Sequence, residues 1–198
     1  MKRIAIVNIL LKILVVILGS VIFFFPDLPQ LQGRGMVARF FIFILLAFLF
    51  PFVWVVIVKK KPYPHLIDSI YTLPLIIDLG GIAAGFYKTY WQWFDKVTHF
   101  VNPLLIGIAL FYVLSRSDKN KFMVWLAVMG VLSTGHVMWE LFEYNAPVAD
   151  KSIMGLSYLD TLSDLVMGVL AQIIVSIFIF FDPLNFYEGK KYRKKIAN

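Results

Sequence analysis

The sequence contains no cysteine. Disulfides, thiolate nucleophiles and cysteine-ligated zinc are therefore excluded, and any bound metal must be held by His, Asp and Glu. Charge is also scarce: 16% of the 198 residues are Asp, Glu, Lys or Arg, against about 25% in an ordinary soluble domain. No nucleic-acid-binding motif is present. The net charge is +7, but the basic residues gather between apolar runs and at the tail, which is a signal of membrane topology before it is one of nucleic acid. No internal repeat is visible, so the signature of inverted-repeat transporters is missing. No low-complexity segment interrupts the chain, which reads as one domain over residues 1–198. The apolar run at about 4–25 ends in Phe23-Phe24-Phe25-Pro26 and not in a small-residue cleavage site, so it reads as a retained span and not as a signal peptide.

What the chain has is apolar length. Hydrophobic residues make up 60% of it and the mean hydropathy is +0.80. Six segments are long enough to cross a bilayer, at about 4–25, 36–58, 66–87, 94–114, 122–143 and 160–181. Lipid offers the backbone no hydrogen-bond partners and the runs are too long for barrel strands, so the expected fold is an all-α polytopic bundle of about six transmembrane helices. Lys2, Arg3, Lys59, Lys60, Lys61, Arg116, Lys119, Lys121 and the tail residues Lys190, Lys191, Arg193, Lys194 and Lys195 fall on one side of these spans. Only Arg34, Arg39, Lys88, Lys96 and Lys151 fall on the other. The asymmetry predicts both termini in the cytoplasm.

Several polar residues inside the spans have ordinary expectations. Lys12 is read as snorkelling to the cytoplasmic interface, His65 as solvated, and Asp68 as a residue near that interface without a role. Pro51 predicts a kink. Gly81-x-x-x-Gly85 predicts close helix packing, and Tyr90, Trp91 and Trp93 an aromatic belt at the outer interface.

The chemistry-bearing residues lie later. Asp95, His99 and Asn102 are spaced i, i+4, i+7; His136, Glu140 and Glu143 repeat that spacing; Asp160 and Asp164 are i, i+4. Each set forms one helical stripe, and lipid rejects such stripes, so all three are expected to face the bundle interior. The predicted topology brings them to one level, near the extracytoplasmic face, with Asp78 reaching it from span three as an open addition. His99 and Glu140 are expected within about 8 Å of each other, under a roof formed in part by the Asn145–Leu159 loop. Asp95 and Asp160 have a plainer alternative as helix N-caps, and Trp139 and Phe142 read as packing.

Five carboxylates beside two histidines cannot all stay ionised at low dielectric without counter-charge. A divalent metal ion, protonation in a proton or cation relay, or salt bridges to Lys96 and Arg39 would each resolve this. The leading expectation is a metal-dependent membrane enzyme, a hydrolase or transferase acting on a lipid-linked or envelope substrate. Its ligands would be His99, Glu140, Glu143, Asp164 and Asp95, and His136 and Asp160 its catalytic groups. The alternatives are a small cation- or proton-coupled carrier and a non-catalytic envelope accessory protein. Membrane lipid is the expected partner, with no role for nucleic acid.

The motifs Phe94-Asp95-Lys96-Val97-Thr98-His99-Phe100, Trp139-Glu140-Leu141-Phe142-Glu143 and Asp160-Thr161-Leu162-Ser163-Asp164-Leu165, with Gly168, resemble the YjdF-like family of bacterial inner-membrane proteins. More loosely, the first motif and Asp164-x-x-x-Gly168 are similar to VanZ-like proteins, linked to glycopeptide resistance at the cell envelope. The second VanZ-like block usually reads E-x-x-Q; here it is Glu140-x-x-Glu143. The resemblance covers about residues 94–170. It implies a shared site on spans four to six and supplies no reaction.

Overall fold

The computed structural model describes residues 2–29, 31, 36–58, 62–116, 120–145 and 157–184. Every regular element among them is helical. The order is α1 (Lys2–Phe24), α2 (Met36–Val53, continued by a π-helical turn over Trp54–Val58), α3 (His65–Ala83), α4 (Phe86–Thr89), α5 (Trp91–Ser115), α6 (Lys121–Asn145) and α7 (Tyr158–Phe181). All but the short α4 contribute one of six helices long and apolar enough to cross a membrane, as the apolar runs predict.

Burial follows the helical period. On α1 the buried positions are Asn8, Lys12, Val15, Gly19 and Ile22; on α7 they are Asp160, Asp164, Gly168, Ala171, Val175 and Ile179. Both are stripes of three- and four-residue steps. The opposite faces are apolar: Val7, Leu10 and Ile17 on α1 and Val169, Ile173 and Phe180 on α7 are each at least 50% exposed. Such surfaces suit lipid and not water. The most enclosed span is α3, which packs between α1 and α5, while α5 in turn meets both α6 and α7.

The α3–α5 connection departs from the sequence expectation. Span three ends at Ala83 and not near residue 87. Gly85 adopts φ 73°, a left-handed conformation that side chains disfavour, and so breaks the helical ladder before α4. The expected Gly81/Gly85 packing pair therefore divides. Gly81 admits the Phe94 ring of α5, since a Cβ there would lie 2.3 Å from Phe94 Cε1, while Gly85 makes the turn.

Lys12 does not snorkel. It is 9% exposed, and its Nζ donates to Ala47 O (2.6 Å), Asp68 Oδ1 (2.7 Å) and Thr72 Oγ1 (2.7 Å). The reason lies in Pro51. It has no N–H, so the carbonyl four residues earlier, that of Ala47, lacks its helical donor, and the lysine supplies one. Asp68 is likewise a buried partner and not an interfacial bystander: its Oδ2 accepts from Asn8 Nδ2 (2.9 Å) and Tyr63 Oη (2.7 Å). Burial, then the bond to Asp68, pushes the Tyr63 hydroxyl's pKa above its ordinary value, so it remains a donor. His65 joins the edge of this network, with Nδ1 3.5 Å from Asn8 Oδ1.

Candidate functional site

At one end of the bundle the stripes of α5, α6 and α7 meet. Asp95 lies in the second turn of α5, Glu143 two residues before the end of α6, and Asp160 in the first turn of α7. His136 lies deeper, seven residues or about 10 Å along α6 from Glu143. The arrangement has two halves that share His99.

In the first half, three ligand atoms face one another. His99 Nδ1 is 3.2 Å from His136 Nε2 and 3.2 Å from Glu140 Oε1. His136 Nε2 is 3.5 Å from that same oxygen. The edge of a tetrahedron built on zinc–nitrogen bonds of about 2.0–2.1 Å is about 3.3 Å, so the triangle has the size of one face of a tetrahedral metal site. Glu140 is 7% exposed, yet its Oε1 makes no aligned hydrogen bond. A buried acceptor left in that state costs about 1–3 kcal/mol, which a cation at the triangle's centre would offset. Asn102 Oδ1, about one turn deeper on α5, is also buried without a hydrogen-bond partner.

The outer nitrogen of His99 faces carboxylates. Its Nε2 is 3.6 Å from Asp95 Oδ1 and 3.8 Å from Glu143 Oε2. Metal-bound histidines commonly set their second nitrogen against such a carboxylate, which fixes the tautomer and ring orientation. Glu143 is itself held by Arg39 from α2, with Nη2 2.6 Å from Oε1. The guanidinium also lies over the Trp139 ring, 5.2 Å from its centroid. Trp139 and Phe142 thus pack, as expected, and together form the wall against which Arg39 is placed.

The second half is acidic and already contains a cation. Lys96 Nζ lies 2.6 Å from Asp160 Oδ1, 2.7 Å from Asp164 Oδ1 and 3.5 Å from Asp95 Oδ2. Neither aspartate suggested as a cap serves as one. Ser157 caps α7, accepting from Asp160 N at 3.1 Å, and Tyr90 precedes α5, leaving Asp95 inside the helix. Asp78 pairs with the Tyr87 hydroxyl, which lies 3.2 Å from Thr98 Oγ1. Burial, and then the charge of Asp78, pushes the pKa of that hydroxyl up.

All the expected site residues among Asp95, His99, His136, Glu140, Glu143, Asp160 and Asp164 thus gather at one end of the bundle, although Asp160 and Asp164 contact Lys96 and not the histidine pair. Residues 146–156, most of the expected roof, lie outside the described residues. One contributor is visible only in three dimensions. A Cβ at Gly168 would lie 1.8 Å from His136 Nδ1, so α7 must carry glycine there for the imidazole to occupy its place. The D-x-x-x-G spacing marked the position, and nothing in it indicated the partner.

No curated protein and no solved structure matches the chain. A family model does, over residues 5–182, from the first turn of α1 to just past the end of α7 and so across every site residue. On that match, the chain belongs to the family described as predicted membrane protein (DUF2238).

Proposed function

We propose that the protein is a metal-dependent membrane enzyme, with one divalent ion held by His99 Nδ1, His136 Nε2 and Glu140 Oε1. The observation that carries this reading is the triangle of 3.2, 3.2 and 3.5 Å edges, one corner of which is a buried carboxylate oxygen that two imidazole nitrogens approach without an aligned hydrogen bond. Two histidines and a glutamate with a fourth position open form a donor set of catalytic zinc sites. Such an ion supplies a Lewis acid and an activated water at neutral pH, the means of hydrolysis or group transfer. In this reading His136 is a ligand and not a base. Asp95 and Glu143 orient His99, and Asp160 and Asp164 hold Lys96.

The basic-residue asymmetry supports cytoplasmic termini and therefore a site near the extracytoplasmic face. The resemblance to YjdF-like proteins supports a bacterial inner membrane. A site built from the early turns of α5 and α7 and the last turns of α6 suits a lipid-linked or envelope substrate, whose reactive group lies near the headgroup level. A carrier fits less well: Asp68 and Asp78 are about 15 Å apart along α3, and the buried side chains between them include Leu75. A purely structural network fits less well too, because it would give the buried Glu140 Oε1 an aligned hydrogen bond.

Elemental analysis of protein purified without chelator tests the proposal. One equivalent of a transition metal is expected, lost in His99→Ala, His136→Ala and Glu140→Gln. No stoichiometric metal as purified, and none after reloading, removes it.

A further inference from the structure

The acidic half of the site contains more ligands than the proposed metal uses. Ligand atoms of Asp95, His99 and Asp164 all lie within 4.8 Å of one another, forming a second His/carboxylate group beside the first. The two groups share His99, whose Nδ1 faces one and whose Nε2 faces the other. The second group already has a positive charge in it, because Lys96 Nζ touches Asp164 Oδ1 at 2.7 Å and approaches Asp95 Oδ2 at 3.5 Å, with Asp160 Oδ1 at 2.6 Å. Lys96 is adjacent to Asp95 in the chain, so its ammonium is delivered by the same helix that presents two of the ligands.

We infer that the Lys96 ammonium is a tethered cation standing in the place of a second divalent ion, and that it limits the centre to one metal. The inference rests on the one-metal reading above. Three carboxylates in a partly buried group need counter-charge. A covalently attached ammonium supplies it at an effective concentration that a free ion must compete against. Removing the amine leaves Asp95, Asp164 and the outer nitrogen of His99 to take a second ion. His99 would then offer Nδ1 to the first group and Nε2 to the second, and an ion taken up at the second would displace the imidazole's remaining N–H proton to solvent. The consequence for chemistry is that the natural centre works by single-ion activation, with Lys96 as the neighbouring positive charge, and not as a two-ion clamp.

The test is metal stoichiometry in full-length, detergent-purified protein loaded with Zn2+, desalted and measured by inductively coupled plasma mass spectrometry. Wild type should retain one equivalent, Lys96→Ala two, and Lys96→Ala/Asp164→Asn one again. If Lys96→Ala does not purify as a monodisperse species, the charge-balanced pair Lys96→Ala/Asp160→Asn replaces it. That pair keeps Asp95, His99 and Asp164 and should also hold two. One equivalent in both wild type and the lysine variant overturns the role of Lys96 and leaves the one-metal reading standing. Two equivalents in wild type overturn the role of Lys96 as well. No metal in wild type overturns both.

Discussion

At the residue scale the site depends on positions whose chemistry is inert. Gly168 presents no side chain, but a methyl group there would overlap the His136 ring at 1.8 Å from Nδ1 and 2.0 Å from Cε1. Gly168→Ala is therefore expected to turn His136 away and lower metal affinity at least tenfold, read by competition with a chromophoric chelator. The steric origin has its own check. In a His136→Ala background the same glycine change should leave the apo-protein's Tm unaltered, because the ring it strikes is gone; an equal loss of Tm in both backgrounds would assign Gly168 to helix packing instead. Spacing alone directed Asp95, His99, Glu140 and Asp164 to the bundle interior, because a stripe of ionisable groups on an apolar helix has one direction in which to point. Spacing could not assign partners. Lys96 lies one residue off the Asp95–His99 stripe, and its flexible stem, which no helical projection captures, takes it to Asp160 and Asp164 on α7.

At the scale of elements, the first three helices are joined by a buried ion pair. Lys12 on α1 and Asp68 on α3 have side chains 11% and 1% exposed, and the lysine also takes the Ala47 carbonyl of α2. Removing one partner of such a pair leaves the other buried and uncompensated, at a cost of about 3–5 kcal/mol. Asp68→Asn and Lys12→Met should each lower the thermal stability of the purified protein strongly, and the double variant by less than the two losses together. Additive losses would show that the pair is not coupled. Neither change should alter metal content, since both residues lie in the half of the bundle away from the His99 centre. The sequence presented Lys12 near a chain end, where snorkelling is the common outcome. What redirected it is a proline 39 positions later, which frees a carbonyl on a neighbouring helix. Helix boundaries were legible from apolar length except at α3, where apolar residues continue through Phe86 but the backbone turns at Gly85.

At the scale of the molecule, the number of spans followed from composition, while their orientation rests on charge. Most of the basic residues that set it, including Lys59, Lys60, Lys61 and the tail lysines, lie outside the described residues, so the orientation is an expectation from the sequence that stands apart from the fold. If the lysine-rich side is cytoplasmic, the end carrying Asp95, Glu143 and Asp160 faces outward, and a substrate reaches the centre from the outer leaflet. The absence of cysteine makes this directly measurable, because a single introduced thiol has no background. Tyr158, at the start of α7 beside the site, is 79% exposed, and Leu184, just past the other end of the same helix, is 57% exposed. With Tyr158→Cys and Leu184→Cys, a membrane-impermeant maleimide applied to intact spheroplasts should label the first and spare the second until the membrane is permeabilised. The reverse pattern would place the site on the cytoplasmic side. It would redirect the search for a substrate from the envelope to the inner leaflet while leaving the His99–His136–Glu140 triangle, and the test of the metal proposed for it, unchanged.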